Sequence, residues 1–286
     1  MSRPAAPQFA SEVLLTSSNW WSFSHAFTAE GLVYLSHQTS EFVAWADASA
    51  PAGGGGISPA DGVVSPGAVI ISPEPTGNWV SRSYLDVVDY ADAEHPLVRR
   101  PVSLPGTLQG LSHGGSVLYT IGTHWTTNSA WFWREFLDAT AYDGVSAHLI
   151  DSLALSEYWP HPVLVLDRDV FLGQPGGAWV GSTNGPPSTL ETWRLSNAGH
   201  WTRSGSVALN MPVQSLINRG ALLAAQSWDN VVTLYDATDG ATLRQVGQGR
   251  PSGCLWFDLE HSDGELGRGL WIPLGAYGVA TVPAGP

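Results

Sequence analysis

The chain contains no lysine. Its twelve basic residues are all arginine, against 25 acidic residues, for a formal net charge of −13. An acidic surface repels phosphate, which excludes nucleic acid as an expected partner and disfavours anionic membrane surfaces. Charged residues of all kinds make up 13% of the chain, about half the usual share. Long amphipathic helices need Glu, Lys and Arg on their wet face, so this shortage argues against a helical protein. Cysteine occurs once, as Cys254, which excludes an internal disulfide and a cysteine-built zinc site. Its setting, GCLWFDL, reads as an inert core thiol. No apolar run approaches the roughly 18 residues of a membrane helix. The N-terminal MSRPAAPQFASEVLL lacks the apolar core of a signal peptide, so a soluble chain without a visible export address is expected.

What the sequence has is turn formers and strand formers. There are 32 Gly, 20 Pro and 14 Trp in 286 residues, and Val, Thr, Trp and Tyr recur in short runs that favour strands. Residues 228–247, WDNVVTLYDATDGATLRQVG, repeat the plan of residues 84–106, YLDVVDYADAEHPLVRRPVSLPG. Each is an apolar run, an Asp-bearing polar turn and a second apolar run. FLDATAYDGVSAHLIDSLAL (136–155) and TLETWRLSNAGHWTRSGSVA (189–208) do the same, the former through an Asp-Gly turn that is a strong hairpin signal. Each hairpin follows two further apolar runs, so the repeating unit has four strands.

Units are expected over 22–104, 107–155, 161–208, 213–247 and 254–283. The first carries an insertion at about 46–78, containing PAGGGGISPADG, expected to be a mobile loop. The fifth reads CLWFDL, GLWIPLG and GVATVP as three strands and lacks a fourth. The run EVLLT (12–16) belongs to no other unit and is expected to supply that strand, removing an exposed edge. The expectation is one all-β domain over 1–286: a five-bladed β-propeller of four-stranded blades, closed by its N-terminal strand.

On these residues the chain resembles the repeats of bacterial LVIVD-type and WD40-like propeller proteins. The resemblance covers about 80–121, through YLDVVDYADAEHPLVRRPVSLPG and the following GLSHGGSVLYTIG. It implies a propeller fold, carries no catalytic residues across, and often goes with longer, extracytoplasmic bacterial proteins. Under it the chain could be the C-terminal part of a larger propeller, outside the cytoplasm if its parent is secreted.

No G-x-S-x-G, H-E-x-x-H, Walker loop or dinucleotide fingerprint is present, and no cofactor is expected. If the connections between the second and third strands of a unit and between successive units lie on one face, that face collects Trp20, Trp21, His37, His124, Trp125, Trp159, Trp228, Asp229 and Arg250. Aromatic rings among a few polar groups suit a glycan, a peptide or a protein partner. The leading expectation is a non-catalytic binding or scaffold propeller. The alternative is a propeller glycosidase, whose paired carboxylates would come from Asp167, Asp258 and Glu260. A weaker alternative gives Asp258, Glu260, Asp263 and Glu265 to calcium. His25 and His148 are expected to be core or interface groups.

Overall fold

The computed structural model describes residues 13, 15, 25–44, 77–125, 133–157, 160–177, 186–240, 242–252 and 257–285. Within them the chain is all-β, built as five antiparallel sheets in chain order with two short 3₁₀ turns. None of the described helical segments is long and apolar enough to cross a membrane.

The first sheet holds β1 (Phe27–Ala29), β2 (Leu32–Ala44), β3 (Gly77–Asp89), β4 (Leu97–Val98) and β5 (Val102–Leu104). Both β4 and β5 pair with β3. They are two pieces of one outer strand, broken at Arg99–Pro101, where proline has no N–H to give the ladder. The second sheet runs β6 (Thr107–Ser112), β7 (Val117–Trp125), β8 (Trp133–Tyr142) and β9 (Ala147–Ala154). The third runs β10 (Val163–Leu166), β11 (Asp169–Gln174), β12 (Ser188–Leu195) and β13 (Trp201–Leu209). The fourth runs β14 (Val213–Arg219), β15 (Leu222–Ser227), β16 (Val232–Asp236) and β17 (Arg244–Gly249). The fifth has three strands: β18 (Asp263–Glu265), β19 (Gly269–Pro273) and β20 (Val279–Pro283).

Alternation in the sequence sorts each strand between two buried faces. Strand β6, TLQGLS, places Leu108, Gly110 and Ser112 inward. Gly110 has a packing reason, since a Cβ there would lie 2.5 Å from a methyl of Val165 on β10. First strands of successive sheets meet in this way, β6 with β10, β10 with β14 and β14 with β18. Four apolar clusters fill the spaces between consecutive sheets. Tyr34, Leu85 and Leu118 lie between the first and second, and Tyr119, Leu137 and Leu172 between the second and third. Phe171, Leu190 and Tyr235 join the third and fourth, and Leu234, Leu270 and Ile272 the fourth and fifth. Each such side chain contributes about 1.5–3 kcal/mol by leaving water, so these four layers hold the sheets in series.

The two outward faces of the series differ. On the first sheet, His37, Asp86 and Val88 point away from the second sheet and are 7%, 2% and 3% exposed. On the fifth, Val282 is buried against the fourth sheet while Val279, on the other face, is 66% exposed. His25 reaches across, with Nε2 3.7 Å from Glu260 Oε1; it is exposed, not the core group expected. His148 on β9 is likewise exposed and meets the Ser146 hydroxyl at 3.1 Å.

Two strand expectations need correction. In the first unit the second strand is not confined to the apolar run GLVYLSH (31–37): β2 continues to Ala44, zipped to β3 down to Ala44 opposite Gly77. In the fifth unit the first described strand is β18, Asp263–Glu265; of CLWFDL (254–259), only Phe257, Asp258 and Leu259 are described, and they lie in no strand. The guanidinium of Arg219 holds the preceding turn by donating to the carbonyls of Ser262 at 2.8 Å and Glu260 at 2.6 Å. Of EVLLT, only Val13 and Leu15 are described; both are half-buried and neither is assigned to a strand. Cys254 and most of the 46–78 insertion lie outside the described residues.

Candidate functional site

Of the nine rim residues expected from sequence, Trp20, Trp21 and Trp159 lie outside the described residues, and Trp125 ends β7 with its side chain undescribed. The structure brings three of the others to one turn. Trp228 and Asp229 form the turn between β15 and β16, where the Trp228 N–H donates to the Pro212 carbonyl at 3.2 Å. The Trp228 ring is 37% exposed. Asp229 accepts from the Ser227 hydroxyl at 2.6 Å and from Arg250 Nη2 at 2.9 Å. Burial raises the Asp229 pKa, but the Ser227 hydroxyl, the Val231 N–H and Arg250 outweigh it and hold the carboxyl below its ordinary value.

His37 is not at the rim. Because β2 runs on to Ala44, it sits in mid-strand, buried, paired through Nδ1 with Asp86 and stacked on Tyr84 at 5.4 Å. His124, near the end of β7, repeats the arrangement in the next sheet. Its Nε2 lies 2.9 Å from Asp138 Oδ2, and its ring stacks on Phe136 at 4.6 Å. Register explains the likeness. Asp86 opposes Leu35, Asp138 opposes Thr120 and Glu191 opposes Leu172. All three carboxylates stand at one position of the third strand, one in each of three successive sheets, and are 2%, 0% and 6% exposed. Glu191 accepts from Trp193 Nε1 at 2.8 Å and Arg203 Nη1 at 3.0 Å. Sequence reasoning missed this set. Its signal was visible as Tyr84-Leu85-Asp86 and Phe136-Leu137-Asp138, the same aromatic-Leu-Asp step in two hairpins.

These groups are structural in their chemistry. The Ser152 hydroxyl donates to Asp138 at 2.5 Å and His124 pairs with the other carboxylate oxygen. The carboxylate therefore stands between serine and histidine, whereas an activated serine needs the histidine in the middle. Burial pushes the Asp138 carboxyl up, against the lowering effect of Ser152 and His124. Glu135 is also raised by burial, with Oε2 3.6 Å from Nε2 of His161, whose own pKa burial lowers. Glu135 and Asp138 are three residues apart on β8 and so lie on opposite faces of the sheet. They cannot flank one glycosidic bond.

The other carboxylates named from sequence lie in turns or on β18, with Asp258 and Glu260 in the same turn. Asp167 is in the exposed turn between β10 and β11 at φ 54°, and its neighbour Asp169 pairs with Arg194. Asp258 lies in a turn, accepting from the Glu260 N–H at 2.8 Å and pairing with His261 at 3.1 Å. Asp263 accepts from the Gly264 N–H at 2.8 Å, and Glu265 pairs with Arg268 at 3.3 Å. Among the described residues no group of three or more His, Cys, Asp or Glu side chains is placed to hold a metal ion.

A cleft of about 210 Å³ opens between the third and fourth sheets. Asp229 lines its rim end, and Val213 and Ala225 are in its floor. Of the described rim residues, Asp229 lines it.

No family model matches the chain, and no curated protein matches it. Among solved structures it is similar to the computationally designed Ika8 protein, with a TM-score of 0.43 and 10% identity. That match covers 71% of this chain and 55% of the designed one, so the chain spans about half the length of that protein.

Proposed function

We propose that this chain is a five-bladed β-propeller that binds a partner on its rim and does no chemistry there. Four buried layers joining five sheets in chain order, with first strands meeting first strands, support a radial arrangement of blades. In this reading residues 12–16 give the fifth sheet its outer strand, the His25–Glu260 contact marks the seam, and the repeats are kin to the LVIVD-type and WD40-like ones. The partner is a protein, a peptide or a glycan, held on loops carried by a rigid frame.

The observation that carries the binding reading is the rim turn: an exposed Trp228 beside the Asp229–Arg250 pair, at the mouth of a cleft. The described carboxylates with raised pKa, Glu135 and Asp138, are on opposite faces of one sheet and do not form the acid–base pair a glycosidase needs. The test is tryptophan fluorescence of the full chain against a panel of neutral glycans and peptides, alongside hydrolysis of the same glycans. A saturable change with one class of ligand, weakened at least tenfold in Trp228→Ala and without turnover, is the expected result. Turnover of a glycoside that survives Trp228→Ala would sink the proposal.

A further inference from the structure

The cleft between the third and fourth sheets has a chemistry that names a ligand class. One wall is five consecutive residues, Val207 to Leu209 at the end of β13 and Asn210 and Met211 just beyond it. That strand is the last of its sheet and pairs only with β12 among the described strands, so its outer edge presents unpaired backbone N–H and C=O groups. The opposite wall is the face of the fourth sheet, with Thr233 on β16 and Gln245 and Gln248 on β17. Both glutamines and Asn210 are exposed, and none of the three side-chain amides bonds to a described residue. Each amide offers two donors and a two-lone-pair acceptor, which matches the donors and acceptors of a peptide backbone.

Charge and aromatic content narrow the choice. Among the described lining residues the carboxylate, Asp229, is already neutralised by Arg250 at 2.9 Å, so they offer no net charge for an ionic ligand. Among the described lining residues Tyr235 is the ring and is 1% exposed, so they present no aromatic face for a sugar to stack on. Val207, Leu209 and Val213 offer a shallow apolar floor for small side chains.

We infer that this cleft takes an extended, uncharged peptide segment laid beside β13, its backbone met on the far side by the amides of Gln245 and Gln248. This mode of recognition adds a strand to an open sheet edge and reads alternate side chains from pockets below. The inference rests on the binding reading above, extending the contact from the rim turn into the inter-sheet cleft and selecting peptide over glycan.

The test probes the intact chain with an array of capped, neutral decapeptides and a parallel array of neutral glycans, using the natural sequence, Gln245→Ala/Gln248→Ala and Trp228→Ala. The expected result is a set of peptides sharing small apolar residues at alternate positions. Their dissociation constants should rise about tenfold or more in the double variant, and N-methylation of alternate backbone amides should abolish binding. Both glutamines are exposed, so the melting temperature of the double variant should be unchanged. Peptide binding that is equally tight in the double variant overturns the site, and no peptide binding overturns the ligand class. Glycan binding alone, lost in Trp228→Ala, overturns the peptide inference and leaves the binding reading standing. Glycoside turnover without binding of either class overturns both.

Discussion

Replacing Asp138 with alanine should be among the most damaging single changes in the second sheet. The side chain is fully buried, accepts from Ser152 at 2.5 Å and pairs with His124 at 2.9 Å. Alanine leaves the half-buried Ser152 hydroxyl without its acceptor, His124 without its ion-pair partner, and a small cavity between the first two sheets. Hydrogen bonds to charged groups contribute about 1.5–3 kcal/mol each. Relief of the burial that raises the Asp138 pKa offsets part of that, leaving a net loss of about 3 kcal/mol for Asp138→Ala. Asp138→Asn keeps an acceptor for Ser152 and should lose about 1 kcal/mol. Urea unfolding with an unchanged slope gives the comparison directly. The register equivalence extends the expectation to Asp86→Ala in the first sheet, with the same ordering against Asp86→Asn. A loss below about 1 kcal/mol for Asp138→Ala, or an Asn variant as damaged as the Ala variant, would refute the view of this carboxylate as the tie between strands.

Other expectations are more local. Gly115 adopts φ +90° and a Cβ there would fall 2.2 Å from the Tyr34 hydroxyl, so Gly115→Ala should lose about 2–4 kcal/mol in urea unfolding; a neutral result would mean that turn can relax. Asp143 accepts from the Ser146 and Val145 N–H groups and the Ser146 hydroxyl, which holds its pKa down to about 2. A depressed carboxylate contributes stability above its unfolded pKa and loses it as pH falls through the folded value. The melting temperature of Asp143→Ala should therefore lie below that of the natural chain at pH 7 and converge with it near pH 2. A carboxyl NMR titration midpoint at the ordinary aspartate value would contradict this.

The hairpins were legible because their signals are local: alternation, Asp-Gly and Asn-Ala-Gly turns, and apolar runs of strand length. Where the reading failed, the cause was pairing across distance. In β2 the stretch Gln38–Glu41 is polar and reads as loop, yet it pairs with residues 80–83 on the far side of the insertion. That misplacement put His37 on the rim instead of in the sheet. Strand β18 is Asp-Gly-Glu, with no strand propensity, and exists because β19 and Arg219 hold it. The rim turn at Trp228 was legible from a tight turn between two apolar runs. The cleft beside it was not, because Gln245, Gln248 and Asn210 carry no motif and meet only when the third and fourth sheets pack.

Closure of the ring is decided most directly at β20, the last strand of the three-stranded sheet. Amide hydrogen exchange should be followed across Val279–Pro283 in the full chain and in a chain lacking residues 1–17. If residues 12–16 complete that sheet, the alternate amides of β20 that face away from β19 are protected in the full chain and exchange freely after the deletion, and the melting temperature falls. Equal exchange in the two chains, with an unchanged melting temperature, would contradict a ring closed by its N-terminal strand.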